Sequence, residues 1–297
     1  MNEDSLLALF SVIEGGSPFW SAELTVHGAD DLISRIKSGH YDLVRKSALR
    51  IREALVTADI SQLRREISDA GARFITPHSS EWPSGLDDLL APPIGLVIKG
   101  RQLTEQSVAI VGTRNPTTYG ARIASEFAAG FVDREWAVIS GGAYGIDTHA
   151  HRGALAAEGA TYAVLASGVC VNYPAGNERL FSEIVESGAL ISEVMPQQRA
   201  RPDRFLTRNR IIAALARGTV IVEAAFRSGS LRTARDAAEI LRTVMAVPGP
   251  ITSPTSDGCH RLIGERCAEI VTSVTDALEL MMPLASKIDS TLSADDT

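Results

Sequence analysis

Apolar residues follow two rhythms along the chain, and the change falls near residue 72. At the start, Leu6, Leu7, Leu9, Phe10 and Ile13 keep helical spacing until Gly15-Gly16-Ser17-Pro18 interrupts it. Residues 29–37, 43–55 and 60–70 read as further helices, the last ending at Gly71, a suitable C-cap. No strand-like run occurs there, so residues 1–71 read as a small helical domain.

From Ala72 short apolar runs take over. Residues 73–76 and 94–99 are strand candidates, bounded by Pro77 and by Pro92-Pro93. Strands at 108–111, 137–140, 161–166, 189–192, 219–223 and 244–247 then alternate with helices at 119–133, 147–159, 177–186, 209–217 and 233–241. Strands apolar on both faces, alternating with helices, predict a doubly wound, mostly parallel α/β sheet over residues 72–284. Residues 285–297 are small, polar and acidic, and predict a disordered tail.

Composition adds exclusions. The chain has 297 residues, 45% hydrophobic and 22% charged, which suits a globular protein. Its longest apolar runs fall far short of the ~20 residues a membrane span needs. The acidic start, Met1-Asn2-Glu3-Asp4, lacks the basic segment of a secretory signal. Cys170, Cys259 and Cys267 fit a reducing compartment rather than a disulfide framework, so a cytoplasmic protein is expected. The net charge of −7 argues against a surface that coats nucleic acid everywhere. The arginines, however, are concentrated. Arg199, Arg201, Arg204, Arg208, Arg210 and Arg217 face one acid, Asp203, and Arg227, Arg232 and Arg235 follow. A second cluster spans Arg45 to Arg52.

Ligands of doubly wound sheets bind at the carboxyl ends of the strands, so the segments after each strand carry the chemistry. Gly112-Thr113-Arg114 offers a tight turn, the N–H groups entering the next helix and a forked cation, a set suited to phosphate. It is neither G-x-G-x-x-G nor a Walker loop. Ser140-Gly141-Gly142-Ala143-Tyr144-Gly145-Ile146-Asp147 could build a second N–H nest, with Asp147 as a helix-capping or first-turn acid. Ser228-Gly229-Ser230 could grip a phosphate at a helix start or simply cap the helix. Arg208-Asn209-Arg210 would bring two arginines beside these loops while Ile211 and Leu215 pack on the sheet. Tyr144 and Phe205 are the candidate base-stacking aromatics. Together these residues point to a phosphate-bearing ligand.

Catalytic and metal signals are weak. Asp147, His149 and His151 look like ligands, but on a helix only Asp147 and His151 share a face, and a structural histidine bonding a carbonyl is expected. Cys259, His260 and Cys267 lack a second cluster. Glu223 is the best single candidate for a catalytic acid, against a competing role bonding loop N–H groups or an arginine. No catalytic residue, metal or cofactor is assigned, and no enzyme is expected.

From about Phe74 to Val271 the chain resembles the DNA processing protein A (DprA/Smf) family, bacterial recombination mediators linked to natural transformation. The resemblance is carried by Glu81-Trp82-Pro83, Val111-Gly112-Thr113-Arg114, Ser140-Gly141-x-Ala143-x-Gly145-Ile146-Asp147, and Tyr173-Pro174. It continues through Phe205-x-x-Arg208-Asn209-Arg210-Ile211-Ile212, Ser228-Gly229-Ser230-x-x-Thr233-Ala234 and Val247-Pro248-Gly249. It implies a Rossmann-like domain behind a small all-helical (SAM-like) one. It also implies a homodimer that binds single-stranded DNA in a basic pocket and helps load the RecA recombinase. Carried over by position, Gly112, Thr113, Arg114, Ser140, Gly141, Gly145, Arg208, Asn209 and Arg210 would form that pocket, with Ser228, Gly229 and Ser230 beside it. Leu206, His260 and Arg266-Cys267 depart from the family's usual residues, and Tyr173-Pro174 lacks the usual acid before it. The tail is too short and polar for the C-terminal winged helix of some members, so weak duplex binding is expected. The alternative is a nucleotide sensor or a phosphoribohydrolase-like enzyme, whose Pro-Gly-Gly-x-Gly-Thr loop is not present at residues 223–230.

Overall fold

The structure is a computed structural model that describes residues 2–282, so the predicted tail lies outside the described residues. Four helices come first: α1 (Glu3–Val12), α2 (Pro18–Lys37), α3 (Ala48–Thr57) and α4 (Ile60–Asp69). Asn2, Ser17 and Asp59 cap three of them by accepting backbone N–H groups. Two boundaries differ from the apolar pattern. α2 begins at Pro18, long before residue 29, and bends at Gly28, whose φ of 71° is accessible to glycine without strain. Residues 43–47 are not helical, and Leu43 and Val44 point into water rather than into a core. Leu9, Trp20, Leu32, Ile36 and Ile51 form the core of this bundle. Leu7 and Phe10 of α1 and Ile67 of α4 pack on the other side, against Val97, Leu165 and Phe181. Apolar contact therefore fastens the helices to the sheet.

The strands are β1 (Arg73–Ile75), β2 (Leu96–Gly100), β3 (Ser107–Gly112), β4 (Ala137–Ser140), β5 (Thr161–Leu165), β6 (Ala189–Ser192), β7 (Gly218–Val222), β8 (Thr243–Ala246) and β9 (Glu269–Ile270). They form one sheet in the order β1-β2-β6-β5-β4-β3-β7-β8-β9. β1 and β2 are antiparallel additions, and the rest pair in parallel. Between them run α5 (Thr118–Val132), α6 (Ile146–Ala156), α7 (Glu178–Ser187), α8 (Pro202–Leu215), α9 (Ser230–Glu239), α10 (Asp257–Gly264) and α11 (Val274–Met281). Phe127, Phe131 and Ala150 cover Val108, Ile110 and Val138 on one face. Ile211, Ile212 and Ala234 cover Ala109, Ile139 and Ile221 on the other. This double cover explains why the central strands read as continuous apolar runs. The result is the doubly wound, Rossmann-like sheet that the alternation predicts.

Helix α8 starts seven residues before position 209, with Pro202 at its first turn. Its first two turns hold Phe205 and Leu206 side by side and carry no apolar period. α10 and α11 are additions to the predicted set; α11 begins with a capping box between Ser273 and Asp276. From β3 the chain winds through β4, β5 and β6 to one side, then crosses back through α8 to place β7 on the other side of β3. The gap between the carboxyl ends of β3 and β7 is the topological switch point.

Candidate functional site

A cavity of about 230 Å³ opens at that switch point, between the loops after β3 and β7 and the middle of α8. Arg208 is its innermost cation. The residue is only 7% exposed, and its Nη1 donates to the Val164 carbonyl at 2.5 Å. Its Nε is buried with no partner among the described residues. Burial pulls its pKa down to about 10; Asp147 pushes the other way, and the charge of Arg114 adds to the lowering. Arg208 therefore stays charged at neutral pH, with a donor to spare. A buried cation that Asp147 offsets only in part, with no ion pair among the described residues, is costly, so the arrangement favours an incoming anion.

Arg114 reaches the same cavity from the β3 loop, and its guanidinium lies 5.4 Å from the Phe205 ring centre. Opposite stands the start of α9. The Ser228 and Ser230 hydroxyls are 2.7 Å apart, and the Ser230 N–H donates to Ser228 Oγ. Asn209 Nδ2 donates to the Gly229 carbonyl at 3.3 Å and ties this loop to α8. Ser228, Gly229 and Ser230 thus line the same cavity as the two arginines, while the first-turn N–H groups of Ser230, Leu231 and Arg232 already donate to Ser228 and Gly229.

Of the other predicted residues, Gly112 lines the cavity, while Thr113, Ser140, Gly141 and Gly145 serve it from outside. A Cβ on Gly141 would overlap the Arg208 guanidinium, and one on Gly112 would overlap the Val222 carbonyl. Gly145, at φ 83°, lets the β4 loop cross the carbonyls of Thr113 and Arg114. Thr113 donates its N–H to Glu223 O at 2.7 Å, and Ser140 donates its hydroxyl to Ile110 O at 2.7 Å. The predicted nest after β4 is already filled. The Gly141 and Ala143 N–H groups donate to Asp147 Oδ2 at 3.1 and 3.3 Å. Burial raises the Asp147 pKa, against the pull of Arg208 and these N–H groups.

Arg210 does not join Arg208. It pairs with Glu193 on the far side of α8, both side chains nearly buried, beside Gly16 of the helical bundle. Arg201 and Arg204 both pair with Glu14. Of the dense arginine stretch, only Arg208 lines the cavity. The apolar neighbours that spacing does not reveal are Leu206, a cavity-lining residue, and Tyr173, whose ring lies 5.4 Å from Phe205. Tyr144 is half-exposed nearby, its hydroxyl accepting the Gly176 N–H.

The suspected acid and the histidine turn out to be structural. Glu223 accepts from the Thr117 N–H at 2.8 Å and hydroxyl at 2.6 Å and from the Thr255 hydroxyl at 3.1 Å. His151 Nδ1 bonds the Thr161 hydroxyl at 2.7 Å rather than a carbonyl. That hydroxyl gives its own proton to Val138 O, so Nδ1 is the protonated nitrogen. Burial lowers the His151 pKa to about 3, with Arg208 adding to the effect, so the ring is neutral.

A larger cavity, about 490 Å³, lies at the opposite, amino-terminal end of the parallel strands. Its arginines are already engaged: Arg242 with Asp88, and Arg217 with the Glu105 carbonyl. Unlike Arg208, Arg217 is exposed to solvent, and the cavity lies at the end of the sheet where such folds do not bind ligands.

The chain has relatives with these features. Residues 73–282 match the profile of DNA recombination-mediator protein A. The DNA processing protein DprA of Streptococcus pneumoniae is 41% identical over 199 residues, which cover 66% of this chain and 70% of that one. The X-ray structure of the Streptococcus pneumoniae protein superposes with a TM-score of 0.80 at 31% identity, covering 94% of this chain and 98% of that one. The Helicobacter pylori DNA processing protein A, solved for its single-stranded DNA binding mode, superposes with a TM-score of 0.64 at 27% identity, covering 71% and 96%. A profile match over most of the α/β sheet, joined to this likeness of fold, establishes that the chain belongs to the DNA recombination-mediator protein A (DprA/Smf) family.

Proposed function

We propose that this chain binds single-stranded DNA in the cavity between Arg114, Arg208 and the start of α9. The observation that carries the reading is Arg208, a buried cation with an unpartnered Nε in a cavity that also holds Arg114. A phosphodiester supplies the missing acceptor and counter-charge. Such a contact reads backbone rather than sequence, so affinity is similar across sequences and falls with salt. Phe205 and Tyr173 at the rim offer ring faces to the adjoining base. The single-strand binding of the Helicobacter pylori relative supports the ligand.

In this reading the protein acts by binding, not by catalysis. The carboxylates nearest the cavity, Asp147 and Glu223, are engaged with backbone N–H groups and hydroxyls. The family's description as a recombination mediator supports loading of RecA onto the bound strand during transformation. A homodimer, a cytoplasmic location and a division into a helical domain at 1–71 and an α/β domain at 72–284 belong to the same proposal.

The test is an anisotropy titration against a labelled dT oligomer, a duplex of equal length and an adenine mononucleotide, at two salt concentrations. Preferred binding of the single strand, weakened by salt with a slope of roughly −0.7 per phosphate contact, is expected. Tight mononucleotide binding without oligomer binding overturns the reading.

A further inference from the structure

The loop between β7 and α9 carries an aromatic side chain that the anion site does not use. Phe226 is 53% exposed, an unusual position for a phenylalanine on a loop that lines a cavity. It stands two residues before Ser228, so its Cα lies within about 7 Å of a cavity-lining residue. The loop is fixed: the Ser228 N–H donates to Ala225 O at 3.0 Å, and the Ala224 N–H to Thr255 O at 2.7 Å.

The ring is also supported. The Arg261 guanidinium of α10 lies 4.6 Å from its centre. Arg261 is itself held from the next helical turn by Glu265, Nε to Oε1 at 2.5 Å. A guanidinium against one π-face leaves the opposite face to water. It also anchors the ring in one orientation, which lowers the entropy lost when a second planar group stacks on it. Phe205 lines the cavity with Arg114 and has Tyr173 beside it, whereas Phe226 is not a lining residue but belongs to the β7–α9 loop that contributes Ser228, Gly229 and Ser230. A strand with one phosphate in the cavity has a nucleobase on either side of it, and the exposed Phe226 ring lies close in the chain to that lining.

We propose that Phe226, backed by Arg261, is a stacking platform for the nucleobase on the α9 side of the bound phosphate. The inference rests on the single-strand reading above. It adds a base-recognition subsite of defined chemistry: sequence-tolerant, because every base has a π-face, and blind to a strand without bases.

The experiment compares wild type with Phe226→Ala, Phe226→Trp and Arg208→Ala. Each is titrated against a dT oligomer and an abasic oligomer of equal length. Phe226→Ala should weaken dT binding roughly 5- to 100-fold, the range of one base–aromatic stack, and leave abasic binding unchanged. Phe226→Trp should restore dT binding to wild-type level or better. A 2-aminopurine within the oligomer should change its fluorescence on binding wild type and change it less on binding Phe226→Ala. The ring is half-exposed, so its removal leaves the core intact, and circular dichroism verifies the fold. If Phe226→Ala binds dT like wild type while Arg208→Ala loses it, the platform is wrong and the cavity reading stands. Equal weakening on both oligomers also overturns the platform, since the loss is then not one of stacking. If wild type binds neither oligomer, the cavity reading falls and the platform with it.

Discussion

Arg208 and Arg210 stand two positions apart on α8 and enter opposite regions of the molecule. Two steps along a helix turn a side chain by about 200°, so neighbours in sequence become strangers in space. On the sheet-switch side, Arg208 is buried with a free donor and, among the described residues, no ion-pair partner, Asp147 acting on it only from a greater distance. On the side of the helical bundle, Arg210 is spent on Glu193, while Arg201 and Arg204 are spent on Glu14. One region holds an unpaired charge; in the other the charge is paired, although Arg210 Nε and Nη1 are, like Arg208 Nε, buried without a hydrogen-bond partner among the described residues. The density of arginine in a sequence therefore says little about usable positive charge.

The contrast can be broken most forcefully at the paired side. Arg210→Met leaves Glu193 buried without its partner and should destabilise the fold by about 3–5 kcal/mol in urea denaturation, while the folded fraction keeps its affinity for a dT oligomer within about twofold. Arg208→Ala should do the reverse, costing about 30-fold or more in affinity with little loss of stability. If both variants lose affinity alike, the two regions are not distinct.

His151 sharpens the comparison through pH. The unfolded chain takes up a proton near pH 6.5, and the folded chain refuses it until about 3. Unfolding is thus proton-consuming between these values. Stability falls as pH drops through that window and levels off below it, by about 2 kcal/mol between pH 7 and 5. His151→Gln should flatten the profile. Arg208→Ala should retain most of it, because burial is the larger cause. A smaller effect belongs to Asp147, whose carboxylate occupies the Gly141 and Ala143 amides and sits beside the Arg208 charge. Asp147→Asn removes that opposing charge and should tighten dT binding about two- to fivefold in the same titration.

Much of this was legible in one dimension. Runs such as residues 108–111 and 137–140 announce strands covered on both faces, and the glycines after them announce tight turns at the sheet's active edge. The cavity lined by Arg114, Arg208 and Ser228 to Ser230 follows from that placement. What stayed hidden depends on partners distant in sequence. Glu14 and Glu193 claim arginines from segments far away. Asp147 has a local signal, an acid in the first turn after a glycine loop, but the same pattern serves an open nest as well as a filled one. The opening turns of α8 lack an apolar period, and Leu43 and Val44 carry one without burying it.

The position of the cavity between β3 and β7 also bears on how the protein acquires its activity. Ser107 at the foot of β3 and Leu215 at the end of α8 are joined by a hydrogen bond across 108 positions of chain. Closing a loop of that length costs more chain entropy than closing a local turn, so this contact belongs to the assembled sheet rather than to any local segment. The bond from Arg208 to the Val164 carbonyl likewise spans 44 positions. A nascent or partly folded chain therefore carries Arg208 without the cavity around it.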